Sequence, residues 1–440
     1  MKIALRLLLG LLVVAFGAGH WFLFPNSEPL GKAEASLISV SVDPLPLSVF
    51  CPGAFVEVGG PTGVELGSVT KIGEALISSQ SSEEELLVAP PVTTVPGVTA
   101  TAQNGEQSTN LLSVMQAQAV SEERAQGLAA SYCQQPVASG WLINGSAVVG
   151  QESVLIAANP SEVEALVELE IHLPNRIISD RFALAPFEEQ LIPTAGYANG
   201  EASFAVFFES SGPAISMALQ NRETRGLNPT GIELEGVTQN PSTDMVFVGL
   251  RPLTDGFENP TMRIYNPGVA ATEVIITAFG DDNIELFRVN VNSGSFAEVD
   301  LSVSGSFQLV TLSSAEPVLA AIKNPSLEPI LDFAWLMPAE LFSSVTVPLS
   351  SYQNTLVLAN PGTSAVEITL ELLTSSRSTY QSLVIPALGE VAVPVSGKSA
   401  RIDGSAPFAV ALELLDSAGY SIVHPTESRN LGRDLSIRID

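Results

Sequence analysis

Positive charge is scarce in this chain: 19 Lys and Arg stand against 47 Asp and Glu, a formal net charge of −28. That balance excludes binding to nucleic-acid phosphates, because the electrostatic term that dominates such binding has the wrong sign. The same field repels anionic lipid headgroups and anionic polymers. Charge of either sign is thin, at 15% of residues, which is low for a cytosolic enzyme. Histidine is rarer still, with only His20, His172 and His424. A Ser-His-Asp hydrolase therefore has two candidates outside the apolar N-terminus, His172 and His424, far apart and in different modules. Both read as ordinary β-surface residues. There is no G-x-S-x-G, no H-E-x-x-H and no glycine-rich phosphate loop after a strand. Only two cysteines occur, Cys51 and Cys133, without the C-x-x-C spacing of a metal or redox site. Neither a cofactor nor a metal is expected.

What is present starts with an apolar N-terminus. Met1-Lys2-Ile3-Ala4-Leu5-Arg6 precedes a stretch from Leu7 to Phe24 interrupted only by small residues and His20. A cleaved signal peptide with a site at Ala15-Phe16-Gly17 would leave Trp21-Phe22-Leu23-Phe24 on the mature terminus. An uncleaved anchor needs ~17–25 apolar residues and suits an aromatic cluster at its outer end. The anchor is the favoured reading, with residues 1–24 as a transmembrane helix in the cell membrane, and either reading exports the rest. On that side Cys51 and Cys133 are expected to form a disulfide, since no cytosolic reductant protects them. A loop of that length contributes about 4 kcal/mol in the chain-entropy model.

At 440 residues the chain is too long for one core, and 46% hydrophobic residues suffice for several. Its organisation is written in internal repetition. Asn159-Pro160, Asn266-Pro267 and Asn360-Pro361 each end an apolar run and open a small polar turn. Alternating runs follow at Ala165 to Ile171, Glu273 to Phe279 and Val366 to Leu372. A second landmark, led by Pro213, Pro317 and Pro407, comes at nearly the same distance each time. Asn-Pro-Gly favours a turn because Pro fixes φ and Gly accepts positive φ. The third copy shows the plan most clearly, with short strands at Val345 to Leu349, Thr355 to Ala359, Val366 to Leu373, Tyr380 to Ile385, Glu390 to Val395, Ser399 to Ile402 and Phe408 to Leu415. This pattern predicts an all-β protein of tandem antiparallel β-sandwiches, immunoglobulin or fibronectin type III in character. The expected layout is an anchor at 1–24, a stalk at 25–35 and an N-terminal β module at 36–140. Repeats follow at 141–243, 244–343 and 344–440. In the first module Ile38 to Val42 and Leu112 to Val120 alternate as strands, with polar loops at Ser78 to Glu85 and Gln103 to Asn110.

Cys51-Pro52-Gly53, the later Cys133 and Trp141, and Gly150 followed by Val154-Leu155-Ile156-Ala157-Ala158-Asn159-Pro160 together resemble a family of secreted or membrane-anchored actinobacterial proteins known only as a domain of unknown function. The resemblance covers most of the chain after Val49. It implies a cell-envelope location and transfers no catalytic residue.

Carboxylates such as Asp281, Asp282, Asp300 and Glu371 are abundant, but no spacing singles out a glycosidase pair. Calcium between modules would draw on Asp255, Glu258 or Glu340, though no EF-hand loop pattern occurs. Trp141 and Trp335 are candidates for a sugar platform, against the commoner role of a Trp in a sandwich core. The expected function is a non-enzymatic, membrane-anchored, extracytoplasmic envelope protein acting as a structural or interaction module. The alternative is a carbohydrate-binding or carbohydrate-active envelope protein. Expected partners are the membrane, envelope proteins or glycans, and no nucleic acid.

Overall fold

Apolar residues alternate with polar ones along most of the chain, so each segment can bury one face of a strand. The computed structural model describes residues 36–42, 47–58, 69–81, 86–89, 98–102, 110–238, 240–251, 259–280, 284–301, 308–325, 331–374, 376–426, 428–430 and 433–439. They are all-β with antiparallel sheets, and their helix is the single turn Ala195–Ala198. The apolar segment Leu7 to Phe24 and the stalk lie outside the described residues. So do His20, Asp255, Glu258, Asp281 and Asp282. Among the described residues no helix is long and apolar enough to cross a membrane. Two units are present. One contains the ladder of Ser36–Val42 with Arg433–Ile439, and the other spans residues 45–430.

Within the larger unit the three repeats share one strand order. In the first they run Ser139–Gly145, Gln151–Ala158, Ala165–Leu173, Arg176–Leu184, Glu189–Pro193, Phe204–Ser211, Ser216–Arg225 and Asn228–Gly236, here strands 1 to 8. Strands 1, 6, 3 and 4 form one sheet in that order, and strands 5, 2, 7 and 8 the other. Their inner faces meet over Leu155, Val167, Leu169, Phe204, Phe208 and Leu219, all essentially without solvent exposure. In the second repeat Gln308–Pro325 supplies strands 6 and 7 as one ribbon. Its first half pairs with Ser242–Leu250 and Thr272–Phe279, and its second with Thr261–Tyr265 and Phe333–Leu336. In the third, Ser399–Leu415 does the same between Leu341–Pro348 and Val366–Leu373 on one side and Gln353–Asn360 and Tyr420–Val423 on the other.

Two details differ from the sequence reading. Ser399 to Ile402 and Phe408 to Leu415 are one strand, and an eighth strand, Tyr420–Val423, follows it. The ribbon leaves one sheet and joins the other between Gly404 and Ala409. Pro407 lies at that crossing, where a residue without an N–H does least harm to a ladder. Pro213 and Pro317 hold the equivalent places. In an immunoglobulin constant-type sandwich the second strand pairs with the fifth and the third with the sixth, as here. The first and seventh strands exchange sheets, the first lying beside the sixth and the seventh beside the second.

The N-terminal module is a reduced fourth copy. Asn110–Glu122 pairs with Leu76–Ser81 and turns back into Ala125–Tyr132, the counterpart of strands 7 and 8. Ser78 to Ser81, read from sequence as loop, is therefore strand. Cys51 and Cys133 are joined, with Cα atoms 4.4 Å apart. The segment after Cys51 is held by buried glutamines: Gly53 N–H donates to Gln116 Oε1 at 2.8 Å, Phe55 N–H to Gln118 Oε1 at 2.8 Å, and Val56 N–H to Gln220 Oε1 at 2.8 Å.

The four modules close a ring. Phe55, Val120 and Ala129 pack on Ile156, Ile232 and Leu234 of the first repeat. Trp141, Ile143 and Ala205 pack on Tyr265, Leu319 and Trp335 of the second. The second repeat's core continues into Val357, Ala411 and Ile422 of the third. The third repeat's core continues into Met115, Leu128 and Tyr132 of the N-terminal module. Ser428–Asn430 then pairs with Asn110–Leu112, bringing the end of this unit back to its first module.

Candidate functional site

The last strand of each module runs along the middle of the ring, where Ala125–Tyr132, Asn228–Gly236, Phe333–Leu336 and Tyr420–Val423 contact one another in turn. One buried carboxylate ties them together. Asp332 Oδ2 accepts from Leu128 N–H at 2.8 Å and Tyr420 N–H at 3.0 Å, and Oδ1 accepts from Phe333 N–H at 2.9 Å and Ile232 N–H at 3.2 Å. Each donor belongs to a different module. Where the second repeat has Asp332, the others have Gly127, Gly231 and Gly419. A Cβ would come within 2.6 Å of Asp332 Oδ1 at Gly127 and 2.8 Å at Gly231, and at Gly419 it would run into Oδ2. The three glycines leave room for one side chain on the axis. Burial pushes the Asp332 carboxyl up, and the four N–H donors pull the other way.

Strand alternation then sets the next layers, because residues two apart face the same side. Beyond Gly231 comes Glu233, fully buried, with Oε1 accepting from Leu234 N–H at 3.0 Å and Ser421 Oγ–H at 3.2 Å. Its Oε2 has no partner among the described residues. Beyond Glu233 comes Glu235, half-buried in the wall of a pocket of about 340 Å³. All four modules line this pocket: Ser131, Tyr132 and Gln134 from the first, Glu235, Val237 and Thr238 from the second, Met337 and Glu340 from the third, and Val423, His424 and Thr426 from the fourth. Burial pushes the Glu233 carboxyl well up, with the nearby Glu235 charge adding to it, and burial alone does so for Glu235. His424 Nε2 lies 3.3 Å from Val248 O, and burial pulls the imidazole down to about 4.

The other residues singled out from sequence fall elsewhere. Asn159, Asn266 and Asn360 are buried to within about 1% and do the same work three times. Each Oδ1 accepts from the N–H two residues on: Ser161 at 3.1 Å, Gly268 at 2.9 Å and Gly362 at 2.9 Å. Each Nδ2 donates to the carbonyl four residues on, at 2.7, 2.8 and 2.8 Å. Each also reaches the end of strand 4, at Leu184, Val291 and Ile385. The motif thus pins the strand 2–3 turn to strand 4 and has no part in the axial pocket.

His172 is not a surface residue. It is buried between the first two repeats, with Nδ1 2.7 Å from Tyr265 Oη and Nε2 3.1 Å from Glu170 Oε2. Trp141 and Trp335 belong to the same interface and are 9% and 4% exposed, leaving no free face for a sugar. Trp141 packs on His172 and Phe207 at 4.9 and 4.8 Å, and Arg263 lies 4.9 Å over Trp335. Asp300 is exposed and accepts from Thr261 Oγ1 at 3.3 Å, while Glu371 accepts from Tyr380 Oη at 2.8 Å, so neither joins a second carboxylate in a cleft. Glu340 lines the axial pocket. Among the described residues no group of three or more His, Cys, Asp or Glu is arranged to hold a metal ion. The pocket itself was not foreseen. Ile232-Glu233-Leu234-Glu235 has the alternation of a half-exposed strand, and its polar face turns to the axis instead of solvent.

Comparison with known proteins gives a family match over residues 87–351, to a model described as "Family of unknown function (DUF5719)". No curated protein matches the chain. A solved structure of chicken CNTN1 FN1-FN3 domains aligns at 12% identity over 68% of this chain and 99% of that one, with a TM-score of 0.12, too low to carry an argument.

Proposed function

We propose that this chain, which belongs to the family of unknown function DUF5719, is a non-enzymatic, membrane-anchored protein of the cell envelope whose β ring presents its axial pocket to a partner. The observation that carries this reading is the shared lining of the pocket. A site built from all four modules exists only in the assembled ring, so the ring's closure and the site's integrity are one property. The carboxyls at its floor argue for binding over hydrolysis. A glycosidase pair needs one protonated and one ionised carboxyl. Here Glu233 is sealed from solvent and cannot reach a reacting group in the pocket.

The Cys51–Cys133 bond supports an oxidising compartment, and the apolar Leu7 to Phe24 supports attachment at the outer face of a membrane. The resemblance to actinobacterial secreted proteins points the same way. An envelope pull-down with the wild-type chain and with Val237→Arg, which fills the pocket, tests the reading. Wild type should retain a partner that the variant loses. Turnover of polysaccharide, peptide or ester substrates that disappears in Glu235→Gln would replace the binding role with an enzymatic one. The same pair of proteins on a glycan array tests the carbohydrate alternative.

A further inference from the structure

We infer that the axial pocket takes a small molecule carrying a protonated amine beside an apolar group. This rests on the reading of the pocket as a binding site and specifies its ligand. Size is the first argument: about 340 Å³ falls at the small end of ligand pockets. Charge is the second. Among the described residues the lining has no Lys or Arg, and its carboxyl without a partner is Glu235, Glu340 being engaged by an interaction of its own. An anion would enter against these groups and against a net charge of −28, whereas the same field draws a cation in.

Hydrogen-bonding capacity is the third argument. The Glu235 side chain has neither a hydrogen bond nor an ion pair among the described residues. The orphaned Glu233 Oε2 lies one pleat beneath it. His424 Nε2 faces a backbone carbonyl and so carries the ring proton, leaving Nδ1 as an acceptor. The site thus offers acceptors in need of donors, which an ammonium supplies three at a time. Val237, Met337, Pro338 and Pro425 give the walls an apolar part for the rest of the ligand. A bare metal ion fits less well, since among the described residues the lining brings no three ligating side chains together. A counter-charge also relieves the cost of ionising Glu235 in a half-buried wall.

A free amine and the amino terminus of a peptide carry the same group, so the test uses both. The full chain is titrated with benzylamine, benzyl alcohol, benzoate and the peptide Phe-Gly-Gly, reading heat and thermal shift. Benzylamine should bind saturably and at least tenfold more tightly than the alcohol, with no binding of benzoate. Glu235→Gln, which keeps the size of the side chain, should bring benzylamine down to the level of the alcohol without changing the circular dichroism spectrum. The His424 imidazole resonances should shift with benzylamine in the wild type. Comparable binding of the alcohol and the amine, or an unchanged affinity in Glu235→Gln, would overturn the amine assignment and leave the pocket reading standing. Silence of every probe also overturns it, while retention of the partner by Val237→Arg is what overturns the pocket reading. Phe-Gly-Gly binding with benzylamine silent would assign the site to a peptide terminus and discard the free amine.

Discussion

Asp332 ties four modules at once, because four N–H groups, one from each, converge on its two oxygens. In Asp332→Asn one of those oxygens becomes an amide nitrogen, and two backbone N–H groups then face a donor. Leaving buried donors unsatisfied costs about 1–3 kcal/mol each, so a loss of roughly 2–6 kcal/mol is expected by denaturant titration. A change below 0.5 kcal/mol would mean that the junction does not hold the modules. Asn360→Ala removes a buried amide serving three carbonyls and one N–H, and should cost about 2–4 kcal/mol by the same measurement. Two buried groups set opposite pH slopes. Burial raises Glu390 from 4.5 to about 8, so the folded state binds the extra proton and stability falls as pH rises through that window. Burial lowers His424 from 6.5 to about 4, so its contribution is full above 6.5 and is lost as pH falls through 4. Melting temperature against pH should therefore drop on both sides, and Glu390→Gln should lessen the alkaline fall, to which Glu233, Glu235 and Asp332 also contribute, while leaving the acid side unchanged.

At the scale of elements, the local signals of the three repeats were legible because each has a local cause. The Asn-Pro turns need a buried amide two and four residues from its partners, and the Pro-led landmark needs a strand position without a ladder hydrogen bond. Both are short-range requirements and leave a mark in sequence. The fourth copy was not legible, because its strands 7 and 8 carry neither mark. What it shares with the others is Gly127 in the place of Gly231 and Gly419, and a single glycine has no distinctive neighbourhood. Sheet exchange by strands 1 and 7 was equally hidden, since alternation gives the face of a strand but not its neighbour. Closure of the ring by Ser428–Asn430 is also a pairing between distant segments. It makes its own prediction. A chain ending at Thr426 should lose hydrogen-exchange protection at Asn110 and Leu111, while Leu112, also paired with Ser81, and Met115 to Val120, paired with Ala125–Tyr132, keep theirs.

For the whole molecule, the question is whether four modules fold as four units or as one. Each repeat has its own two-sheet interior, in the third built from Val345, Leu356, Leu358, Ile368, Leu370, Phe408 and Val410. Burying side chains of this kind contributes roughly 1.5–3 kcal/mol each, enough to offset much of the ordering entropy of about a hundred residues. The same repeat turns a second apolar face outward, with Val357, Ala359, Ala409, Ala411, Tyr420 and Ile422 packing into the second repeat's core. It also meets Met115, Leu128 and Tyr132 of the first module. Residues 344–440 alone should therefore give a β-type circular dichroism spectrum, but with that face uncovered they should self-associate and melt well below the full chain. In the intact ring every module depends on two neighbours and on the Asp332 junction, so unfolding one uncovers the next. Calorimetry of the full chain should accordingly show one dominant transition, and Asp332→Asn should split or broaden it as well as lower it. Separate transitions in the wild type, one of them at the melting temperature of the isolated 344–440 segment, would mean that the shared cores are contacts without coupling. The axial pocket would then be an assembly of independently stable walls.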